Sequence, residues 1–177
     1  MGDSLITVIG IFLAAILMLV FPLMSVSEKT DDVSQLSVQT ATTDFVDTVR
    51  TTGKLTLDAY DQYLATITST GNSFDVTMEA QILDENVGVK TTQAETTKIG
   101  ENIYYNLYTS QIEEKLNNSE NKNRITFKEG DRFAVTVKNT NTTIAQTLRN
   151  FFYRLAGNDT YQIAAQHAGI VTANGTK

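Results

Sequence analysis

An uncharged apolar run near the N terminus constrains this chain more than any other feature. Residues 5–24 read LITVIGIFLAAILMLVFPLM, and Thr7 is the one polar side chain among them. At about 1.5 Å per residue, a helix of this length spans about 30 Å, the thickness of a bilayer's hydrocarbon core. A surface helix of a soluble protein would show a polar stripe, and this run shows none. We therefore predict a transmembrane helix over residues 1–24, with membrane lipid as its partner.

A cleaved signal peptide is the alternative for the same run. Such a peptide has a basic start, an apolar stretch of about 7–15 residues and a small-x-small exit. Here the start is MGDS and the apolar stretch is longer, but Ser25-Val26-Ser27 is an exit of the required kind. The start and the length favour a retained anchor, and cleavage after Ser27 stays open.

Pro22, the chain's one proline, lies near the end of the run. A proline inside a helix removes a backbone hydrogen bond and bends the helix. Beyond it, a stripe at helical spacing runs up to Gly53, which supplies a stop. The stripe consists of Val38, Ala41, Thr42, Phe45 and Val49. The pattern predicts a helix of about 45–50 residues, kinked near Pro22, with residues 25–52 as an amphipathic stalk. A helix that ends at Pro22 is the alternative.

Residues 53–177 are predicted to form a head that begins with a helix and a strand. Residues 57–67 show helical spacing, with Thr56 as a candidate N-cap and Gly71 as a stop. Residues 74–82 alternate between apolar and polar side chains, which predicts a strand with one buried face. The polar residues 84–100 are predicted to form a long loop.

The middle of the head is less clear from its pattern. Residues 101–118 fit a helix or a strand, and we favour the helix because the tail QIEEKL is helix-prone. Residues 123–139 are predicted to form a hairpin with its turn at residues 129–131. Phe133, Val135 and Val137 would form the buried face of its second strand.

A helix over residues 142–157 and a final strand complete the head. The predicted inner face of the helix consists of Ile144, Leu148, Phe151 and Leu155. The strand runs through Tyr161, Ile163 and Ala165, with a bulge expected near Gly169. The expected fold class is α+β: a long N-terminal helix followed by a head with a roughly four-stranded antiparallel sheet packed against helices.

The composition argues against several classes of function. The formal net charge is −6, so nucleic acid is not an expected partner, and the absence of cysteine excludes thiolate chemistry. His167 is the one histidine, and Asp84, Glu85 and Asn86 lack the alternating ligands of an EF-hand. We therefore expect no catalytic residue, no metal site and no cofactor.

The layout of the chain resembles type IV pilin-like proteins. An apolar N-terminal helix, a proline at position 22, an amphipathic continuation and an α+β head occur in that order. The segments FVDTVRTTGKLTLDAYDQYLATITSTGNSFDVTMEAQILDEN and EGDRFAVTVKNTNTTIAQTLRNFFYRLAG are similar to TadE-like pseudopilins of tight-adherence (Tad) pilus loci. The resemblance implies a structural subunit whose apolar helices bundle in a filament core while the heads cover the outside.

The resemblance also implies roles for particular residues. The small side chains of Gly10, Ala14 and Ala15 would let helices approach closely. Pilins usually carry a basic leader and a glutamate at position 5 that pairs with a neighbour's N terminus. This chain starts Met1-Gly2 and has Leu5 there, so Asp3 is the candidate charge partner and a pseudopilin or accessory subunit is expected rather than a major pilin.

Two functions remain open at this stage. The first is a pilin-like subunit or pseudopilin, with copies of itself, other pilin-like subunits and pilus assembly machinery as partners. The second is a single-pass surface protein whose head binds a partner without polymerising. Both place the protein in the cell membrane with an extracellular head, and the first adds an extracellular filament. The orientation rests on composition, because Lys29 is the one basic residue close to the run.

Overall fold

The computed structural model describes residues 2–84, 104–119, 122–142, 144–155, 157 and 162–175. The elements in chain order are α1 (Gly2–Thr52), β1 (Lys54–Thr56), α2 (Leu57–Thr68), β2 (Phe74–Leu83), β3 (Tyr104–Tyr108), α3 (Thr109–Asn117), β4 (Arg124–Thr126), β5 (Arg132–Asn139), α4 (Ile144–Leu155) and β6 (Ala164–Ile170). Together they confirm a long N-terminal helix followed by an α+β head.

Helix α1 runs without interruption through Pro22, as predicted, and is 51 residues long. It ends at Gly53, whose φ of 66° lies in the left-handed region and whose N–H donates to the carbonyl of Val49 at 2.8 Å. This is a helix C-terminus of the kind that favours glycine. The bend expected at Pro22 stays a prediction.

The head contains two antiparallel sheets. The larger has the strand order β3-β2-β5-β6, and the smaller pairs β1 with β4. In the larger sheet, Val76 lies opposite Val137 and Met78 opposite Val135, so the two central strands turn apolar side chains to the same face. The predicted four-stranded antiparallel sheet is confirmed in outline.

The core lies between this sheet face and the second half of α1. The predicted stripe of α1 is confirmed: Val38, Thr42 and Val49 are fully buried, and Phe45 is almost so. The ring of Phe45 stacks on that of Tyr63 from α2, with centroids 4.4 Å apart. The hydroxyls of Tyr63 and Thr42 lie 3.0 Å apart, which satisfies both buried groups. The stalk of the molecule is therefore also the central element of the head.

Helix α1 also runs along the edge strand β6. The side chain of Gln35 accepts from the N–H of Ala164 at 3.0 Å and donates to its carbonyl at 2.6 Å. At the other end, Nε of Arg50 donates to the carbonyl of Ile170 at 3.0 Å. An edge strand exposes backbone groups that invite further pairing. Here part of that edge is occupied by side chains of α1.

Two predicted elements of the middle of the head were wrong. Residues 104–108 form strand β3 rather than the start of a helix, and the helix α3 begins at Thr109. The Thr109 hydroxyl accepts from the N–H of Met78 at 2.8 Å and donates to its carbonyl at 3.2 Å, so β2 fixes this junction. The predicted hairpin does not form, because β4 pairs with β1 and β5 pairs with β2 and β6.

The last two elements differ from prediction in detail. Strand β6 pairs with β5 in unbroken register, with Gly169 opposite Phe133, so the predicted bulge is absent. Glycine at 169 leaves room for the side chain of Arg50, which a Cβ there would overlap unless that side chain moved. Helix α4 forms as predicted, but Phe151 is 57% exposed instead of facing inward. The predicted inner positions Ile144, Leu148 and Leu155 have side chains outside the described set.

Three further predictions concern other parts of the chain. Thr56 caps α2, because its hydroxyl accepts from the N–H of Ala59 at 3.2 Å. Ile163 and Ala165 are buried as predicted. Most of the loop over residues 84–100, and Tyr161, lie outside the described residues.

Candidate functional site

The first half of α1 presents an apolar surface on all sides. Every described side chain from Ser4 to Leu19 is exposed, and the exposed fraction reaches 80% at Met18 and 76% at Leu19. A soluble monomer rarely exposes a contiguous apolar patch of more than a few hundred Å². A surface of this kind indicates a further apolar partner, lipid or protein.

This helix meets the length and composition of a membrane span. Its most apolar window has a mean hydropathy of 2.8, and none of that window is buried in the protein. The lack of burial separates it from the core helix of a soluble protein, whereas a signal sequence would meet the same criterion. The structure thus supports a candidate membrane-spanning helix.

The three small residues of the span are exposed. Gly10 and Ala14 are one turn apart and share a face, because residues i and i+4 are neighbours on a helix. Open space surrounds the position that a Cβ on Gly10 would take, and Ala14 and Ala15 are exposed. These residues therefore offer a shallow face for close helix approach. The side chain of Asp3 lies outside the described set, and its role as a charge partner stays a prediction.

Residues 26–36 of α1 have reversed polarity, a feature that the sequence reasoning missed. Val26, Val33 and Leu36 are about 65% exposed, while Asp31 and Ser34 are buried at 4% and 5%. The spacing of the three apolar residues, seven and three, was a signal that could have revealed this outer stripe. A second apolar surface therefore continues beyond the predicted span.

A groove of about 650 Å³ runs beside this outer stripe, between α1 and the end of α2. Val26, Val33 and Ser37 line one wall, and Thr66 and Thr70 line the other. The walls carry small and apolar side chains with few charges, Lys29 being the charged member of the lining. The arrangement offers shape and apolar area rather than a set of groups for chemistry.

His167 lies in a small charged cluster on β6 and α1. Its Nε2 is 3.3 Å from Oδ1 of Asp47, and Nη1 of Arg50 donates to the same oxygen at 2.7 Å. The hydrogen bond from His167, together with Arg50, holds the pKa of Asp47 below its usual range. Because Arg50 also binds the end of β6, this cluster ties α1 to the sheet.

A second polar feature is a cleft of about 480 Å³ between the sheets. It contains Lys115 and Arg124 as well as Asp131, which is 2% exposed. The two carboxylate oxygens of Asp131 accept from the backbone N–H groups of Leu83 at 2.9 Å and Lys128 at 2.8 Å. This acid therefore shapes the turn after β4. Among the described residues, no group of three His, Cys, Asp or Glu side chains is placed to hold a metal ion.

Comparisons with known proteins do not assign a function to this chain. The chain shows no match to protein-family models, to curated proteins or to solved structures. The resemblance to TadE-like pseudopilins therefore stays a prediction. What the geometry offers is an exposed apolar helix, a shallow small-residue face and an outer apolar stripe.

Proposed function

We propose that this protein is a pilin-like structural subunit or pseudopilin of a cell-surface filament. One observation carries the proposal: a single helix has an exposed apolar N-terminal half and a C-terminal half that forms the centre of a folded head. Such a helix joins the head rigidly to whatever surrounds its apolar half. In the membrane the surroundings are lipid, and in a filament they are the same helices of neighbouring copies.

The energetics allow both locations. A helix in lipid satisfies its own backbone groups and exposes apolar side chains. To leave the lipid, the apolar surface must be covered by equally apolar neighbours. At about 25 cal/mol per Å², several hundred Å² buried per helix contribute on the order of 10 kcal/mol before entropy costs. Helix packing in the filament core can therefore replace lipid as the solvent of the span.

The outer stripe of Val26, Val33 and Leu36 favours a filament over the alternative function. A single-pass surface protein that binds a partner through its head needs an apolar span, but it needs no apolar stripe beyond the span. In a helical bundle, the stripe would extend the packing surface of the filament core beyond the segment that spans the membrane. This stripe is the specific observation that favours a filament subunit over a single-pass surface protein.

Shearing and fractionation test the proposal in the source cell. A filament subunit should be abundant in material sheared from the cells, whereas an anchored receptor should stay with the membranes. Ala14→Trp should abolish recovery in the sheared fraction, because the bulky ring blocks close helix approach. Leu19→Trp places the same ring on another face of the helix and serves as the control. Equal recovery of the two variants would refute packing through the small-residue face.

Val33→Asn gives an independent test that leaves the span untouched. The substitution makes the outer stripe polar, and we expect normal membrane insertion with loss of sheared material. Glu28→Gln, an exposed change on a different side of the same stalk, is the control. If Val33→Asn assembles as well as the control, then the stripe does not pack in a filament, and the anchored surface protein becomes the better function.

The orientation of the head can be measured because the chain lacks cysteine. Glu129 is an exposed residue at the turn before β5, so Glu129→Cys introduces one thiol into the head. Labelling of intact cells by a membrane-impermeant maleimide is expected if the head is extracellular. Labelling that requires cell lysis would place the head on the inner side and would contradict the proposed localisation.

A further inference from the structure

Helix α4 is anchored to the part of α1 that leaves the predicted span. The chain leaves the sheet for α4 at Asn139 and returns at Ile163, and the N–H of Asn139 donates to the carbonyl of Ile163 at 2.9 Å. The next residue, Ala164, is held by Gln35 of α1 through two hydrogen bonds. Gln35 is eleven residues from Met24, about 16 Å along a helix. The chain segment that contains α4 therefore begins and ends beside Gln35, about 16 Å along α1 from the end of the apolar run.

The exposure along α1 shows that one side of the helix is covered on the N-terminal side of Gln35. Ser34 and Asp31 are buried, and Ser27, Met24 and Val20 follow on the same side as half-buried residues. Their spacing of three and four places them on one helix face. By contrast, Met18 and Leu19, on other faces, are at least 76% exposed. Cover on the first side therefore reaches the last turns of the apolar run.

Helix α4 is the described element to which we assign the cover beyond Ser34. Strand β6 meets α1 between Gln35 and Arg50, and the end of α2 meets α1 near Val33 and Ser34. Helix α4 contacts α1 as well, and its 12 residues span about 18 Å. That length matches the distance from Gln35 to the end of the apolar run. On this assignment, α4 lies at the height where α1 would leave a bilayer.

The exposed side chains of α4 have the chemistry of a membrane interface. Phe151 is 57% exposed and Tyr153 is 37% exposed, and Arg154 is exposed beside them. Residues 144–155 contain two arginines and no acidic residue, in a chain whose net charge is −6. Aromatic and basic side chains on an amphipathic helix are typical of segments that lie among lipid headgroups.

We propose that α4 reaches the interface of the same bilayer that holds α1, with Phe151 and Tyr153 at headgroup level and Arg154 on anionic lipid. The inference depends on the membrane insertion of α1 that the proposed function includes. Lipid is favoured over a second copy of the chain because the surface continues the apolar run at the same height. In addition, two copies of α4 packed face to face would bring basic residues together, which is unfavourable.

Site-specific fluorescence tests the placement of α4 in the full-length protein. Phe151→Cys and Tyr153→Cys each introduce one thiol for an environment-sensitive label, and Glu129→Cys provides a reference distant from α4. The proteins are reconstituted in vesicles of phosphatidylcholine with phosphatidylglycerol, brominated just below the headgroups. We expect loss of fluorescence at positions 151 and 153 and little loss at position 129. A label at Met18→Cys, quenched by bromines deep in the acyl chains, reports insertion of α1 separately.

The outcomes separate this inference from the proposed function. Deep quenching at position 18 with equal quenching at 151, 153 and 129 would refute the placement of α4 and leave insertion of α1 intact. No quenching at position 18 would refute insertion itself, and with it the inference. The labels at 151 and 153 could instead report an apolar environment without being quenched by the brominated lipid. If that signal is lost as the protein-to-lipid ratio falls, the occupant is a second copy of the chain, and the inference is overturned.

The charge of α4 provides a second measurement. An arginine near an anionic surface contributes about a fivefold change in the docking equilibrium. Arg154→Gln should therefore lower the ratio of docked to undocked α4 by about that factor in vesicles with phosphatidylglycerol, and change it little in pure phosphatidylcholine. An equal response in the two kinds of vesicle would refute the contact between α4 and anionic lipid.

Discussion

Gly53, where α1 meets the head, offers a sharp test of how the stalk is fixed. Its φ of 66° disfavours any residue with a Cβ, and a Cβ at this position would overlap the backbone of residues 173–175. The carbonyl of Gly53 accepts from the N–H of Phe127 at 2.8 Å, and the N–H of Gly175 donates to the carbonyl of Phe127 at 2.9 Å. Gly53→Ala is therefore expected to strain the backbone and to displace a neighbouring segment.

The size of the effect follows from these two contributions. A left-handed conformation costs a non-glycine residue roughly 1–2 kcal/mol. Displacing residues 173–175 weakens the hydrogen bond from Gly175 to Phe127, and strain at residue 53 weakens the one from Phe127 to Gly53. Each is worth about 1 kcal/mol net. Gly53→Ala should thus lower the free energy of unfolding of the head by about 3–4 kcal/mol. Gly71→Ala is a matched control, because Gly71 has a φ of 80° but open space around its Cβ position. It should cost roughly 1–2 kcal/mol.

Urea unfolding of the full-length protein in mild detergent measures both values. Near-ultraviolet circular dichroism of the buried tyrosines follows the head without interference from the apolar half of α1. The difference between the two variants isolates the overlap with residues 173–175. If Gly53→Ala costs no more than Gly71→Ala, then the C-terminal segment is not packed against the end of α1, and the reasoning fails.

Three further predictions concern titration and the core. Burial raises the pKa of Tyr63 to about 12, and burial with the hydrogen bond to Glu113 raises the pKa of Tyr60 further. Because both tyrosines ionise more readily when unfolded, stability should be full below about pH 10 and decline above it, and absorbance at alkaline pH should show these two phenols ionising last. The pKa of Asp47 is lowered, so its contribution is complete above the ordinary value of 3.8 and is lost as the pH falls through the lowered one. The difference in urea midpoint between the wild type and Asp47→Asn should therefore vanish in strong acid. Phe133→Ala removes a fully buried ring and should cost about 3–5 kcal/mol in the same urea assay.

The sequence predicted α1 well because the helix carries its information locally. A 3.6-residue period and a terminal glycine are enough to place Val38, Phe45 and Val49 inward and to end the helix at Gly53. The same holds for β2, whose alternation marks its buried face. Local pattern failed where the partner is distant in sequence. Strand β4 pairs with β1, about 70 residues earlier, and no local feature identifies that partner.

The features of the candidate site also divide into those that local sequence reveals and those that depend on residues distant in sequence. The apolar run could be found from composition alone, and the structure adds that its residues up to Leu19 are exposed on all sides. The outer stripe needed the structure, because the burial of Asp31 and Ser34 depends on head elements that pack against α1. Phe151 was assigned to the inner face of α4 on the assumption that an apolar side faces the core. On the proposed placement of α4 that assumption fails, because lipid is a second apolar environment.

The attachment of α1 along β6 determines how the head bears a load. Gln35 and Arg50 bind the two ends of this strand, and they lie fifteen residues, about 22 Å, apart on the helix. Tension applied through the N-terminal half of α1 acts nearly parallel to the strand, so these bonds are stressed together in shear instead of being peeled off one after another. A subunit pulled along a fibre would therefore resist extraction of its own helix by the sum of these contacts.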